Sequence, residues 1–169
     1  YLGMPYDATG EFYKANVMNF SLGGAFNSRI NMNLREDKGY TYGARSSFRG
    51  TDYPGPFSAG ATVKSKVTDS TIIEFMKEIE NFKANGITEE ELAFTKSNIL
   101  QRDVLSYETL FQKANYLSNI VEHDLPNDYK AQQEALVEGM TKADIDALAK
   151  KHLKPENMVI LVVGNKYLI

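Results

Sequence analysis

The apolar side chains of this chain repeat with two different periods, and the longer regular stretches predict helices. Residues 72–82 carry apolar side chains at spacings of three and four, which places them on one face of an α-helix. The same spacing recurs in six other stretches. Thr88 followed by Glu91 has the form of a capping box, and Thr141 followed by Asp144 is a similar helix start. We therefore predict helices over 9–22, 27–39, 72–82, 88–104, 110–121, 128–138 and 141–153.

Shorter stretches predict strands. Residues 57–63 alternate between apolar and polar or small side chains, which is typical of a strand buried on one face. Residues from Tyr40 onward have the composition of a strand, and the loop at 51–56 indicates that the two strands are antiparallel. The continuous apolar run Met158–Val163 predicts a further strand, buried on both faces.

Composition and charge narrow the class of protein. The chain has 169 residues, of which 43% are hydrophobic and 24% charged, and this favours one globular domain. A net charge of -3 argues against a nucleic-acid partner. The longest apolar run, residues 158–163, is far shorter than the roughly 20 residues of a membrane span. The chain has no Cys, which excludes disulfides and thiolate catalysis but does not identify the compartment.

The two histidines do not predict a zinc site in this chain. His123 and His152 are far apart in sequence, and neither belongs to a His-x-x-Glu-His or His-Glu-x-x-His motif. We interpret His152 as a core or cap residue near the end of a helix, and His123 as a solvated helix terminus. The chain alone is therefore predicted to bind no metal and to cleave no peptide.

One segment, residues 28–44, carries the candidate chemistry. Arg35 precedes the helix stop at Gly39 by four residues, and Tyr42 follows it by three. If the chain reverses at Gly39, the two side chains can converge. The alternative is structural: an Arg at a helix C-terminus that interacts with the helix dipole, and an amphipathic Tyr on a strand. Spacing alone leaves both interpretations open.

Several short runs in this region and beyond it resemble a known family. The motifs are Leu-Arg-Glu at residues 34–36 and Gly-Tyr-Thr-Tyr-Gly-Ala at residues 39–44. With the other matching runs, they resemble the C-terminal half of M16 zinc peptidases, the family of insulinase, pitrilysin and mitochondrial processing peptidase. The resemblance covers almost the whole chain. The other matching runs are 20–24, 28–30, 86–92 with Lys96, 125–129 and 162–164.

The resemblance implies a fold and a domain organisation. It implies an α+β domain with a mostly antiparallel sheet and helices packed on one face. Residues 1–169 are expected to form a single domain of the C-terminal M16 type, truncated at its N-terminal strand, of which residues 1–5 are expected to be the tail.

The resemblance also implies a function. M16 peptidases consist of two homologous halves that close around an extended peptide, and zinc is bound to a His-x-x-Glu-His motif in the N-terminal half. Arg35 and Tyr42 match a pair in the other half that contacts substrate near the zinc. The chain is thus expected to be the non-catalytic, substrate-binding half of a zinc metallopeptidase. Its expected partners are a His-x-x-Glu-His-bearing half, in the same polypeptide or a separate subunit, and an extended peptide substrate.

Two alternatives remain at this point. The chain can be an interaction or assembly subunit that kept the fold and lost proteolysis, as some respiratory-complex core proteins of this family have done. It can also be a dimerisation or peptide-binding module that captures extended segments without cleaving them. Retention of Arg35 and Tyr42 weighs against the first alternative.

Overall fold

The computed structural model describes residues 1–104 and 108–165 and contains helices and one small sheet. None of its described helices is both long and apolar enough to cross a membrane. The two strands are β1 (Thr41–Phe48) and β2 (Phe57–Val63). The helices are α1 (Glu11–Asn19), α2 (Arg29–Asn31), α3 (Thr68–Asn85), α4 (Glu89–Val104), α5 (Leu110–Glu122), α6 (Tyr129–Gly139) and α7 (Lys142–His152).

Two of the helices end in a wider, π-helical turn. Phe20–Gly24 continues α1, and Met32–Asp37 continues α2. The predicted interruption at Gly23 and Gly24 is confirmed, because the π-helical turn ends there. Single π-turns in helices occur frequently at functional sites. Short 3₁₀ turns cover Ser65–Val67 and Pro155–Asn157.

The sheet is an antiparallel pair, as the loop at 51–56 predicts. Phe48 lies opposite Phe57 and Ala44 lies opposite Ala61, whereas Thr41 lies opposite Val63. Between the Ala44 and Thr41 pairs, two residues of β1, Tyr42 and Gly43, thus lie opposite one residue of β2, Thr62. This irregularity is a β-bulge. Residues 1–4 run along the start of β2, where Leu2 lies opposite Pro56.

The core lies between this sheet and the helices. Phe48 and Phe57 pack with their ring centroids 4.7 Å apart, and both are buried. The apolar face of α3 contributes Ile79 and Phe82, which are fully buried, so the predicted helical stripe is confirmed. α1 packs against α7 and β1, and α4 packs against α6. The α+β prediction is confirmed.

The predicted helix starts are also confirmed. Thr88 Oγ1 accepts a hydrogen bond from Glu91 N at 3.2 Å, and Glu91 Oε2 accepts one from Thr88 N at 2.8 Å. Thr141 and Asp144 form the same reciprocal arrangement at the start of α7. These pairs satisfy backbone N–H groups that a helix start leaves without an intrahelical partner.

The strand predicted over residues 158–163 is wrong for the described structure. The segment has no strand hydrogen bonds, and Val159, Leu161 and Val163 are 87%, 84% and 89% exposed. The prediction fails because a strand buried on both faces needs a neighbouring strand and covering layers. The segment instead faces β2 across a groove of about 430 Å³. We call this the β2 groove; its walls are residues 59–63 and 158–164, and α3 forms its floor.

Candidate functional site

The junction between α2 and β1 places Arg35. The π-helical turn Met32–Asp37 contains Arg35, and the chain then reverses at Gly39, whose φ is +62°. A backbone hydrogen bond of 2.9 Å from Tyr40 N to Leu34 O closes this reversal. Glycine adopts a positive φ without the steric cost that a Cβ imposes, so Gly39 allows the helix to end and the strand to begin within a few residues.

The guanidinium of Arg35 packs on an aromatic ring. Its Cζ lies 4.4 Å from the centroid of the Phe26 ring, and its Nε lies 3.5 Å from Glu36 Oε1. The side chain is 32% exposed, and its Nη1 atom is buried without a hydrogen-bond partner among the described residues. The ring face and the carboxylate both attract the cationic guanidinium. These two contacts hold the Arg35 side chain in place, while part of it faces solvent.

Tyr42 lies in the β-bulge on the other side of the reversal. Its side chain is 98% exposed and has no hydrogen-bond or ring partner in the described part of the chain. Thr41 fixes the bulge, because its Oγ1 is 2.8 Å from Thr62 O and accepts a hydrogen bond from Gly43 N at 3.1 Å. Bulges change the direction of a side chain, and this one presents the Tyr42 phenol to solvent.

Asn31 links the two sides of the junction. Its Oδ1 accepts a hydrogen bond from Ala44 N at 2.9 Å, and its Nδ2 donates one to Phe26 O at 2.7 Å. Asn31 is only 3% exposed. The buried amide of Asn31 thus fixes the backbone of Ala44, two positions after Tyr42. It also fixes the backbone of Phe26, on whose ring Arg35 packs.

The structure brings Arg35 and Tyr42 to one junction but not into contact. No hydrogen bond, ion pair or ring contact joins the two side chains among the described residues. Sequence reasoning missed Phe26 and Asn31. A polar residue between the buried Ile30 and Leu34 was the available signal for Asn31, since Asn has low helix propensity.

An ion pair joins the start of α2 to the start of α4. Arg29 Nε donates to Glu91 Oε1 and Arg29 Nη2 donates to Glu91 Oε2, both at 2.6 Å, and Nη2 also donates to Gly86 O at 2.9 Å. Burial opposes the charge of Glu91, but the hydrogen bonds from Arg29 and Thr88 and the positive charge of Arg29 together outweigh it and lower the pKa of this carboxyl. The hydrogen bond to Glu91 raises the pKa of Arg29. The pair is bidentate, the strongest common geometry for these groups.

A second set of contacts joins the π-helical turn to α3. Asn33 Nδ2 donates to Glu74 Oε2 at 2.8 Å and to Glu78 Oε1 at 2.7 Å. Lys38 Nζ lies 3.7 Å from Glu74 Oε1. The hydrogen bond from Asn33 is the main cause that lowers the pKa of Glu74. The turn that carries Arg35 is therefore fixed to helices on two sides.

The histidines lie away from this junction. His152 ends α7, and its Nε2 lies 2.9 Å from Glu11 Oε1. Lys151 also contacts Glu11, and the hydrogen bond from Lys151, followed by that from His152, lowers the pKa of Glu11. His123 is the C-cap of α5 and packs against Tyr6 at 4.2 Å between ring centroids.

These side chains do not fit a zinc site. Across residues 1–104 and 108–165, no group of three His, Asp or Glu side chains is placed to hold a metal ion. Zinc sites in proteins need three or four such ligands around one point.

Comparison with known families identifies the family of this chain. A model described as the peptidase M16 inactive domain matches residues 1–99. The chain belongs to the M16 peptidase family, and the matching part is of the inactive-domain type. The resemblance inferred from the motifs is confirmed.

Individual relatives agree with this placement. The non-peptidase homolog YmxG of Helicobacter pylori is 27% identical over 98% of this chain, which spans 39% of that protein. The crystal structure of an M16 inactive domain from Pseudomonas fluorescens superposes with a TM-score of 0.81 at 23% identity, over 91% of this chain and 37% of that one. A Helicobacter pylori protease superposes with a TM-score of 0.76 at 16% identity, over 91% and 37% of the two chains.

The solved structures establish the fold, because their sequence identity to this chain is low. The chain spans 39% of the length of YmxG and 37% of the Pseudomonas fluorescens chain. A further similar structure, at a TM-score of 0.74 and 16% identity over 92% of this chain and 85% of that one, is the inactive domain of a proposed zinc protease from Bordetella parapertussis.

Proposed function

We propose that this chain is the substrate-binding, non-catalytic half of an M16-type zinc metallopeptidase. The observation that carries the proposal is the junction of α2 and β1, where two hydrogen-bond donors, Arg35 and Tyr42, face solvent on a rigid support. A support fixed by buried hydrogen bonds allows donors to bind a substrate without first being ordered.

Arg35 is proposed to bind a carbonyl oxygen of the peptide. The guanidinium has five N–H donors and remains cationic at all physiological pH values. Glu36 contacts only its Nε edge, and Phe26 lies against its face. The buried Nη1 atom has no acceptor among the described residues, and leaving such a donor unpaired costs roughly 1–3 kcal/mol. A peptide oxygen that accepts a hydrogen bond from this atom would remove that cost.

Tyr42 is proposed to supply a second, neutral donor. A phenol keeps its proton near pH 7, so it can donate to the scissile carbonyl oxygen as negative charge develops there. Its full exposure leaves the phenol free to meet a peptide held by another domain.

The proposed partners supply the metal site and the substrate that the proposed function requires. The described residues hold no metal-binding group, so the zinc and the water-activating carboxylate are assigned to a homologous His-x-x-Glu-His half. That half is either fused to this chain or a separate subunit. The proposed substrate is an extended peptide between the two halves.

One observation favours the alternative of a proteolytically inactive M16 protein. The relative YmxG, which matches nearly the whole chain, is named a non-peptidase homolog. In that case the same surface binds a polypeptide without cleaving it, and Arg35 and Tyr42 contribute to affinity only.

The experiment uses the complete protein, with both halves present. Arg35→Ala and Tyr42→Phe are compared with Arg45→Ala and Tyr53→Phe, which change the same residue types at exposed positions of β1 and of the loop after it. We expect the first two variants to lower kcat by about 10²–10³, the usual loss for one donor to a developing oxyanion. The control variants should leave kcat unchanged.

The changes in kcat and KM distinguish transition-state stabilisation from substrate positioning. A higher KM at constant kcat assigns the pair to substrate positioning rather than to the transition state. Wild-type kcat/KM in both variants contradicts the site assignment. If the complete protein cleaves no peptide but binds extended peptides through Arg35 and Tyr42, the inactive alternative is correct.

A further inference from the structure

Phe26 is an exposed aromatic residue on an anchored backbone. It is 55% exposed and lies in a turn that a hydrogen bond of 3.3 Å from Ser28 N to Ala25 O closes. Asn31 Nδ2 donates to Phe26 O at 2.7 Å, and Ala25, Ser28 and Asn31 are all buried. The main chain that carries the ring is therefore ordered before any ligand binds, which lowers the entropic cost of using this side chain for recognition.

Arg35 covers only part of the Phe26 ring. The guanidinium Cζ lies 4.4 Å from the ring centroid, and the exposed fraction of Phe26 is what remains with the guanidinium in place. The Arg35 side chain is itself 32% exposed. An open apolar surface thus adjoins a charged hydrogen-bond donor. Ligand sites commonly combine these two features, because apolar contact supplies affinity and a few polar groups fix the orientation.

This contact distinguishes Phe26 from the other exposed apolar side chains. Single exposed apolar residues are common on protein surfaces and indicate nothing by themselves. Phe26 is the aromatic residue against which the guanidinium of Arg35 packs. A ligand that accepts a hydrogen bond from Arg35 therefore comes close to the ring.

An extended peptide has the dimensions to contact both groups at once. A carbonyl oxygen lies about 2.9 Å from the nitrogen that donates to it, and successive Cα atoms are about 3.8 Å apart. In an extended segment the carbonyl groups point sideways, whereas the side chains point above and below. When Arg35 binds one carbonyl oxygen, a side chain of the same or the neighbouring residue reaches the ring at 4.4 Å from the guanidinium.

We propose that Phe26 is a specificity-determining residue that selects an apolar side chain within one residue of the carbonyl bound by Arg35. The proposal rests on the proposed function in taking Arg35 as a substrate-binding donor. A Leu, Met or Phe side chain at that position covers the open ring surface, whereas Ala leaves it in water. Lys or Arg at the same position is opposed by the charge of the guanidinium. The preferred ligands are therefore extended peptides with an apolar residue at this point.

A purely structural role of Phe26 predicts a different result. If the ring only holds Arg35 in place, its removal weakens the binding of every peptide by a similar factor. If the ring contacts a peptide side chain, its removal changes the ratio between peptides that differ at one position. This ratio is therefore the quantity to measure.

The experiment uses the complete protein, with both halves present, and a host peptide of Ala and Ser. Leu, Lys or Asp replaces each position of the peptide in turn. The preference is the ratio of kcat/KM for peptides that are cleaved, or of Kd for peptides that are only bound. We expect one position to prefer Leu over Ala by roughly tenfold, at the lower end of what an apolar pocket provides, because this ring lies on an open surface.

Three variants test the origin of this preference. Phe26→Ala should reduce it to less than about twofold, whereas Phe26→Leu, which keeps an apolar surface, should keep it within about threefold of the wild type. Phe111→Ala is the matched control, because Phe111 is an exposed Phe of α5. It should leave both the affinity and the preference unchanged.

The results separate this proposal from the proposed function. A preference for Leu that Phe26→Ala removes and Phe111→Ala retains supports the proposal. It is overturned if the wild type shows no such preference, if Phe26→Ala leaves the preference unchanged, or if Asp is preferred to Leu at that position, since the charge of Arg35 would then select the residue. The proposed function fails by a different measurement, in which Arg35→Ala leaves kcat/KM and Kd unchanged for every peptide.

Discussion

The α2–β1 junction and the β2 groove are built on the same two-stranded sheet but differ in how their polar groups are satisfied. At the junction, Asn31 accepts a hydrogen bond from Ala44 N, and beside it Asn19 at the end of α1 and Ser46 of β1 exchange hydrogen bonds of 2.8 Å and 2.5 Å. At the groove, the N–H groups on one edge of β2 have no backbone partner among the described residues, and an apolar segment faces solvent. The polar groups of the junction are thus satisfied within the described residues, whereas those N–H groups of β2 are not.

The largest expected effect tests how closely the π-helical turn after α1 packs against β1, beside the junction. A Cβ added at Gly23 would lie 2.2 Å from Ser46 Oγ and 2.7 Å from Ser46 N, a backbone atom. We expect Gly23→Ala to lower the free energy of unfolding by about 3 kcal/mol, because overpacking forces the backbone to move. For a chain of this size the Tm should fall by roughly 6–12 °C. Thermal unfolding followed by circular dichroism measures it.

Gly60→Ala is the matched control on the groove side. No atom lies within 4 Å of a Cβ added at Gly60. We expect its Tm to stay close to that of the wild type, since the added methyl group meets no neighbour. If Gly23→Ala is equally harmless, the junction is more adaptable than its contacts indicate, and the contrast between the two regions is wrong.

The next effect concerns the buried amide that joins the two sides of the junction. Asn31→Ala leaves Ala44 N without its side-chain acceptor and should cost about 2 kcal/mol, within the range for a buried donor left unpaired. Urea unfolding gives this value from the shift in midpoint at constant m. Asn27→Ala, at an exposed position of the preceding loop, should change stability by less than about 0.5 kcal/mol. Equal effects of the two substitutions would mean that the Asn31 side chain does not stabilise the junction.

The elements that the sequence predicts correctly are those determined by neighbours in sequence. Thr88 and Glu91 are three residues apart, and a capping box needs no other part of the chain. The stripe of α3 is predictable for the same reason, because a helix brings residues three and four apart onto one face. The reversal at Gly39 is also local, since glycine tolerates a positive φ there.

The parts that the sequence does not predict depend on contacts without a period. Phe26 supports Arg35 across nine residues, and no pattern of polar and apolar positions encodes that contact. Residues 158–163 show the converse error. Their apolar run predicts a strand buried on both faces, but such burial depends on neighbouring strands and covering layers that the run itself does not specify.

A smaller effect is expected from the ion pair that fixes α2 to α4, and it depends on pH. The pKa of Glu91 is lowered in the folded state, so its stabilising contribution is present above the unfolded pKa, about 4.3, and is lost as the pH falls through the folded value. Glu91→Gln should cost about 1 kcal/mol at pH 7, because the pair is partly exposed.

The pH dependence provides the control for this prediction. The difference in unfolding free energy between wild type and Glu91→Gln should shrink below about pH 4, as the wild-type carboxyl is protonated. Glu89→Gln changes a carboxylate at an exposed position of the same helical turn and should cost less at pH 7 than Glu91→Gln, because an exposed charge is well solvated. A Glu91→Gln effect that is independent of pH would mean that the side chain acts by packing rather than by charge.

The smallest expected effect lies on the groove side. Leu161 is 84% exposed, so Leu161→Ser removes little buried apolar surface and should change the stability of the 169-residue chain by less than about 0.5 kcal/mol. Ile79 is fully buried in α3, and Ile79→Ala should cost roughly 2–5 kcal/mol in the same measurement. A loss at Leu161 comparable to that at Ile79 would mean that this chain buries residues 158–163 by itself, and the difference between the junction and the groove would then disappear.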